Sequence, residues 1–306
     1  MDTPFHWLVF NLFVLLAVAL DLAVHRRARK ISLREALSWS LAWIVLAIFF
    51  GLAVFQFYGQ QPALEFFTGY VIEKALSMDN LFVFLVIFRF FAVKEEFQHR
   101  VLAYGILGAL LLRGTMIAAG AALLDRFSWI LYVFGALIVY AGVHMLFQGQ
   151  AVSHPEKHFL VRYLSKHLPL TRDYRQQKFF VRESGKLLAT PLFLVLLVVE
   201  ISDVTFAVDS IPAVFGITRD PFIVYSSNVF AILGLRALYF LLAAVLERLA
   251  YIKVGLAVVL IFVGAKMVVE PWLHISVAVS LAIVLGILAI SSIASLLLKR
   301  NATSPS

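Results

Sequence analysis

The sequence predicts an all-α polytopic membrane protein of about nine spans, in which spans three to five recur, inverted, as spans six to eight. Three observations predict it. Of 306 residues, 62% are hydrophobic and only 14% are Asp, Glu, Lys or Arg, well below the roughly 25% charged residues of a soluble domain. The apolar residues fall into continuous runs of about 18 to 28, long enough to cross a bilayer core. Two of those runs carry matching patterns of acids. The runs do not alternate in polarity, so they read as helices rather than barrel strands.

The expected spans are 7–24, 38–57, 64–91, 101–123, 129–147, 190–215, 224–246, 254–269 and 273–298. Met1 to His6 carries no positive charge, and the first run ends in a basic cluster instead of a small-residue cleavage site, so the first span is expected to stay in the protein. Connections divide by charge. Nineteen lysines and arginines fall on one side, including Arg26, Arg27, Arg29, Lys30, Arg34 and eight in 148–189; the other side has only Arg126 and Arg219. The positive-inside rule places the amino terminus outside and the carboxyl terminus in the cytoplasm, as an odd number of spans requires. The net charge of +8 therefore reflects topology, not nucleic-acid binding. The chain has no cysteine, which excludes disulfides, thiol redox centres and thiolate metal sites.

Glu73-Lys-Ala-Leu-Ser-Met-Asp79-Asn80-Leu81 aligns without gaps with Asp203-Val-Thr-Phe-Ala-Val-Asp209-Ser210-Ile211. The following spans each hold one arginine, Arg113 and Arg236, and the spans after those end in Gly142-Val-His-Met145 and Gly264-Ala-Lys-Met267. Repeating three spans inverts the second copy, a pattern found in transporters with a substrate site near the bilayer midplane. The expected divisions are two N-terminal spans (1–62), the first repeat (63–148), a basic cytoplasmic connection (149–189), the inverted repeat (190–270) and a last span with a short tail (271–306).

An acid at a helix centre costs about 2.5–3.5 kcal/mol on insertion scales. Five of them, Glu73, Asp79, Glu200, Asp203 and Asp209, need each other, water, a cation or basic partners. Glu73, Ser77 and Asn80 share one helix face, as do Asp203, Ala207 and Ser210, with Glu200 one turn away. Asp79 and Asp209 point off those faces on a straight helix: either the helix breaks and the oxygens converge, or each Asp meets the other repeat's helix, and Pro212 supports a break in the second copy. Glu200 has no counterpart in the first copy, where Tyr70 stands. With Lys74, Arg113 and Arg236 as charge partners, the five acids leave a formal −2, suited to one divalent cation. The oxygen-only donor set suits hard ions such as Mn²⁺, Mg²⁺ or Ca²⁺. The competing reading is a fixed lattice of buried salt bridges. Asp21 and Asn228 are further pathway candidates; His144 and Lys266 are expected to snorkel. His154, His158 and His167 in the long connection suggest either a metal sensor or a solvated linker facing anionic lipid.

At 69–80, 199–213 and 227–240 the sequence resembles the TerC/Alx family of bacterial inner-membrane proteins, the Alx branch most closely. The resemblance implies Mn²⁺ efflux, with Glu73, Asp79, Asn80, Glu200, Asp203 and Asp209 as the acidic motif residues. The expected activity is secondary transport rather than enzymatic turnover, with Mn²⁺ as cargo, no permanent cofactor and protons as the coupling ion. An older family label, membrane redox modulator, and a signalling or scaffold role are the alternatives. The redox role would need a centre that a chain without cysteine or paired in-membrane histidines does not offer.

Overall fold

The computed structural model describes residues 4–24, 32–127, 129–147, 169–171, 173–183, 185–245, 252–269, 272–273 and 275–302. Among these, ten helices and one hairpin follow in the order α1 (Pro4–Val24), α2 (Leu33–Tyr58), α3 (Gln60–Phe90), α4 (Glu95–Arg126), α5 (Ile130–Phe147), β1 (Phe180–Glu183), β2 (Lys186–Ala189), α6 (Pro191–Phe215), α7 (Pro221–Leu233), α8 (Leu235–Val245), α9 (Ile252–Val269) and α10 (Val277–Ala302). The protein is an all-α polytopic membrane protein. Helices α1, α2, α4, α5, α6 and α10 are long and apolar enough to cross a membrane. Their exposed residues include Leu12, Leu16, Phe49, Leu111, Tyr140 and Ile290, as expected where the surrounding solvent is lipid.

Local chemistry sets the ends. Ser32 caps α2 by accepting from the Glu35 amide at 3.2 Å, the first half of a capping box. Asp220 caps α7, its Oδ1 accepting from the Phe222 and Ile223 amides at 2.8 and 3.3 Å, with Pro221 in the first turn. α3 closes with the Val93 amide donating to Phe88 O at 2.9 Å and Ala92 at φ 48°, in the left-handed region.

Two expectations are corrected. Residues 224–246 are not one continuous helix: α7 and α8 meet at Gly234 with a bend of 41°. Nor does Pro212 break the motif helix. α6 runs on to Phe215 although Pro212 forfeits its own bond to Val208 O, because only that one rung is lost and the Gly216 amide still donates to Pro212 O.

α3 lies at the centre. It packs against α2, α6, α7 and α10. α4 packs on α6 and α7, while α5 packs closely along α9. The α5–α9 contact is backbone to backbone: a Cβ at Gly142 would sit 2.8 Å from Ala257 O, and one at Gly264 2.7 Å from Gly135 O. Small residues permit this approach. The described part of the long connection is not a plain linker. β1 and β2 pair antiparallel, and the segment docks on α3 and α4 through Tyr174, whose hydroxyl donates to Phe91 O at 2.6 Å. Burial pushes that hydroxyl up to about 12. Arg100 stacks on Tyr104 and Phe179. His154, His158 and His167 lie outside the described residues.

Candidate functional site

The motif helices meet on one arginine. Arg113, in the middle of α4, is 2% exposed. Its Nε and Nη2 donate to Asp203 Oδ2 and Oδ1 at 3.0 and 2.9 Å, a two-pronged grip on the α6 carboxylate. Its Nη1 donates to Glu73 on α3 and reaches Asn228 Oδ1 on α7 at 3.4 Å. With the Asn80 amide oriented to satisfy both neighbours, its oxygen accepts from Arg113 Nη2 at 3.2 Å and its nitrogen donates to Leu76 O. Glu73, Asn80, Asp203 and Asn228 are all buried. Four helices thus contribute to one centre. They approach closely because small residues line the seams: Ala207 is fully buried, and a Cβ at Gly69 would come 2.8 Å from Ser227 Oγ.

The centre is not saturated. Among the described residues, Glu73 Oε2, Ser77 Oγ, Ser210 Oγ and Asn228 Nδ2 are buried and lack a hydrogen-bond partner. Such atoms are costly in a membrane interior.

Glu200 stands one turn from Asp203. It lies in a notch that glycine makes: a Cβ at Gly108 would fall 2.1 Å from its Oε1. Its Oε2 is buried without a partner. Glu200, Asp203, Arg236, Gly105, Phe84 and Leu235 line a cavity of about 10 Å³, about the room one water molecule needs. Asp209 is half-buried on the unbroken α6, six residues from Asp203 and off its stripe. The Asp79 backbone is helical; its side chain lies outside the described residues. Among the described residues no three carboxylates or histidines converge closely enough to hold a metal ion.

The charge partners differ from the tally that composition suggests. Arg113 takes two of the acids. Lys74 instead donates to Ala231 O at 3.0 Å and lies over the Tyr70 ring. Arg236 pairs with Asp21 on α1. Lys266 is buried rather than snorkelling, while His144 is exposed and stacks on Tyr140.

Sequence reasoning missed Gly108 and Glu65. Glu65 lies on the same α3 stripe, eight residues before Glu73, and accepts from Thr218 Oγ1 at 2.6 Å. That pair borders a polar cavity of about 350 Å³, lined also by Gln61, Arg219, Lys266 and Ser276. The i, i+4 spacing of 65, 69, 73 and 77 was the available signal.

Comparison with known proteins adds a family. Residues 58–303 match the model of the "Integral membrane protein TerC family". A "Putative membrane-bound redox modulator Alx" from Escherichia coli K12 is 48% identical over 303 residues, covering 96% of this chain and 94% of that protein. An "Uncharacterized membrane protein STKORF319" from Myxococcus xanthus is 48% identical, covering 99% and 95%. A membrane protein from Rickettsia bellii is 38% identical over 294 residues, covering 96% and 97%. No solved structure matches.

Proposed function

The chain belongs to the TerC family of integral membrane proteins, and from that premise we propose that it transports a divalent metal cation, Mn²⁺ outward, across a bacterial inner membrane. The observation that carries this reading is the Arg113 centre, where one carboxylate from each motif helix meets the same guanidinium in the interior of the fold. A guanidinium fills the point where a cation would sit. When the two halves part, the cation takes Glu73 and Asp203 from it, with Asn80, Asn228, Ser77 and Ser210 as neutral oxygen donors. Glu200, Asp79 and Asp209 are the further acids of the two motif helices. Hard oxygen donors of this kind suit Mn²⁺. A lattice built only to hold the fold gives no reason for unpartnered oxygens beside it, because buried charge repays its desolvation only when fully satisfied. The packing of α3 with α7 and of α4 with α6, first helix of one triplet on the second of the other, supports an inverted repeat and movement of one half against the other.

The test is Mn²⁺ flux in proteoliposomes for the wild type and for Glu73→Gln, Asp79→Asn, Asp203→Asn and Asp209→Asn. We expect Mn²⁺ flux in the wild type and at least a tenfold loss in each variant, a change of about 1.4 kcal/mol or more. Equal flux in all five removes the site. The redox name of the relatives supplies the rival reading; a purified protein with a visible-absorbing redox centre and no flux would favour it.

A further inference from the structure

The hairpin before α6 has no part in the transport reading. β2 ends at Ala189 and α6 begins at Pro191, so only Thr190 separates the hairpin from a helix long and apolar enough to cross a membrane. Tertiary contacts hold it there. The Gln177 Nε2 donates to Glu96 O at 3.1 Å, the Thr190 hydroxyl donates to Lys178 O at 2.6 Å, and the Phe180 ring centre lies 4.5 Å from that of Phe193 in the first turn of α6. Directly opposed residues of an antiparallel pair share a face. Phe180, Arg182, Leu187 and Ala189 therefore lie on one face, and Val181, Glu183, Lys186 and Leu188 on the other. The first face holds no acid and leaves Phe180 and Leu187 47% and 64% exposed. The second carries Glu183, the one acid of residues 174–189, which Arg175 binds at 2.9 Å. Arg175, Lys178, Arg182 and Lys186 against Glu183 give that segment a formal charge of +3, and all four basic residues are exposed.

We propose that the Phe180–Leu187 face of this hairpin docks on the anionic phospholipid headgroups of the bilayer that the chain spans, with Phe180 and Leu187 entering the headgroup layer and Lys178, Arg182 and Lys186 meeting the phosphates. Charge complementarity and continuity with the membrane choose this occupant. A basic segment beside a bilayer is drawn to anionic lipid within a Debye length, about 8–10 Å at ordinary salt, and the single residue between β2 and α6 keeps the hairpin at the membrane boundary. Apolar side chains set among lysines and arginines are the composition by which segments settle in the interface. The one acid that would oppose the approach is on the other face and is neutralised by Arg175. Because α6 carries Glu200, Asp203 and Asp209, docking at its start fixes the depth of a motif helix.

The chain has no cysteine, so a single one can carry the probe. Leu187→Cys, labelled with an environment-sensitive fluorophore, is placed in nanodiscs of phosphatidylcholine alone and of phosphatidylcholine with phosphatidylglycerol. We expect blue-shifted emission and loss of quenching by acrylamide, a neutral quencher, in the anionic discs only. Adding Lys178→Glu/Arg182→Glu/Lys186→Glu is expected to reverse both. Salt at about 1 M, where the Debye length falls to about 3 Å, carries the same expectation where that variant does not fold. A label open to acrylamide in both discs leaves the face to a soluble partner and overturns the proposal. Equal shielding in both assigns the face to contacts within or between copies of the chain and overturns it as well. Emission is read without Mn²⁺, so no outcome turns on whether the protein transports.

Discussion

Arg113 is the residue on which the buried charges depend. It is held among Glu73, Asp203, Asn80 and Asn228 with 2% exposure, so its loss leaves two carboxylates uncompensated in a medium of low dielectric. Breaking a buried pair in this way costs about 3–5 kcal/mol. Arg113→Gln is therefore expected to lower unfolding stability in detergent by that amount, and adding Asp203→Asn to recover part of it. A single variant as stable as wild type would mean that the acids are neutral or otherwise satisfied. The importance of these residues was legible in the sequence, because charge inside an apolar run is expensive wherever it stands. Their pairing was not. Asp21 and Arg236 are 215 residues apart, and nothing local distinguishes a partnership with Asp21 from one with the motif acids. Gly108 was illegible for a related reason: its role is to lack a side chain where Glu200 lies.

At the scale of elements, the informative contrast is between Pro212 and Gly234. The stronger breaker leaves its helix intact and the weaker one sits at a bend. Pro212 forfeits a single rung, its bond to Val208 O, and the Gly216 amide closes the turn after it. Gly234 costs only about 1 kcal/mol in helix propensity, too weak a signal inside a long apolar run to interrupt the expected span. What fixes the bend is tertiary: Lys74 Nζ and Trp43 Cβ lie 2.8 and 3.2 Å from where a Gly234 Cβ would be. Lys74 then donates to Ala231 O near the end of α7. A cation at a helix carboxyl end is also favoured by the helix dipole. Lys74→Met is expected to cost about 1–3 kcal/mol, the penalty for a buried acceptor left unmade, and to do so without touching the acids. Thermal unfolding of the purified variant measures it; no change would mean that the carbonyl finds another donor. The broken α7–α8 pair supplies irregular backbone at depth, which membranes tolerate only where protein or a polar cavity covers it.

At the scale of the whole molecule, the distribution of positive charge predicts the orientation, and the matched acid motifs predict the inverted repeat. If α6 crosses the membrane, the connection before it and the corner after it face opposite compartments. If the second triplet is inverted, the corner between α4 and α5 shares a side with the corner between α6 and α7. These relations can be read directly, because the chain has no cysteine of its own to contribute background. Single variants Trp129→Cys, Arg219→Cys and Leu273→Cys place thiols at exposed positions in three corners; Arg175→Cys places one in the basic connection. A membrane-impermeant maleimide is expected to label the first three in intact spheroplasts and the fourth only after permeabilisation. Labelling of Arg219→Cys and Arg175→Cys from the same side would leave α6 uncrossed and dissolve the repeat. Labelling of all four in the reverse sense would keep the repeat but turn the molecule over. The 350 Å³ polar cavity beside Glu65 and Thr218 would then open to the cytoplasm, and the small cavity beside Glu200 would face outward. The direction of transport is a separate matter, set by the driving gradient. The side from which each cavity fills is not: it follows from the orientation that these four thiols report.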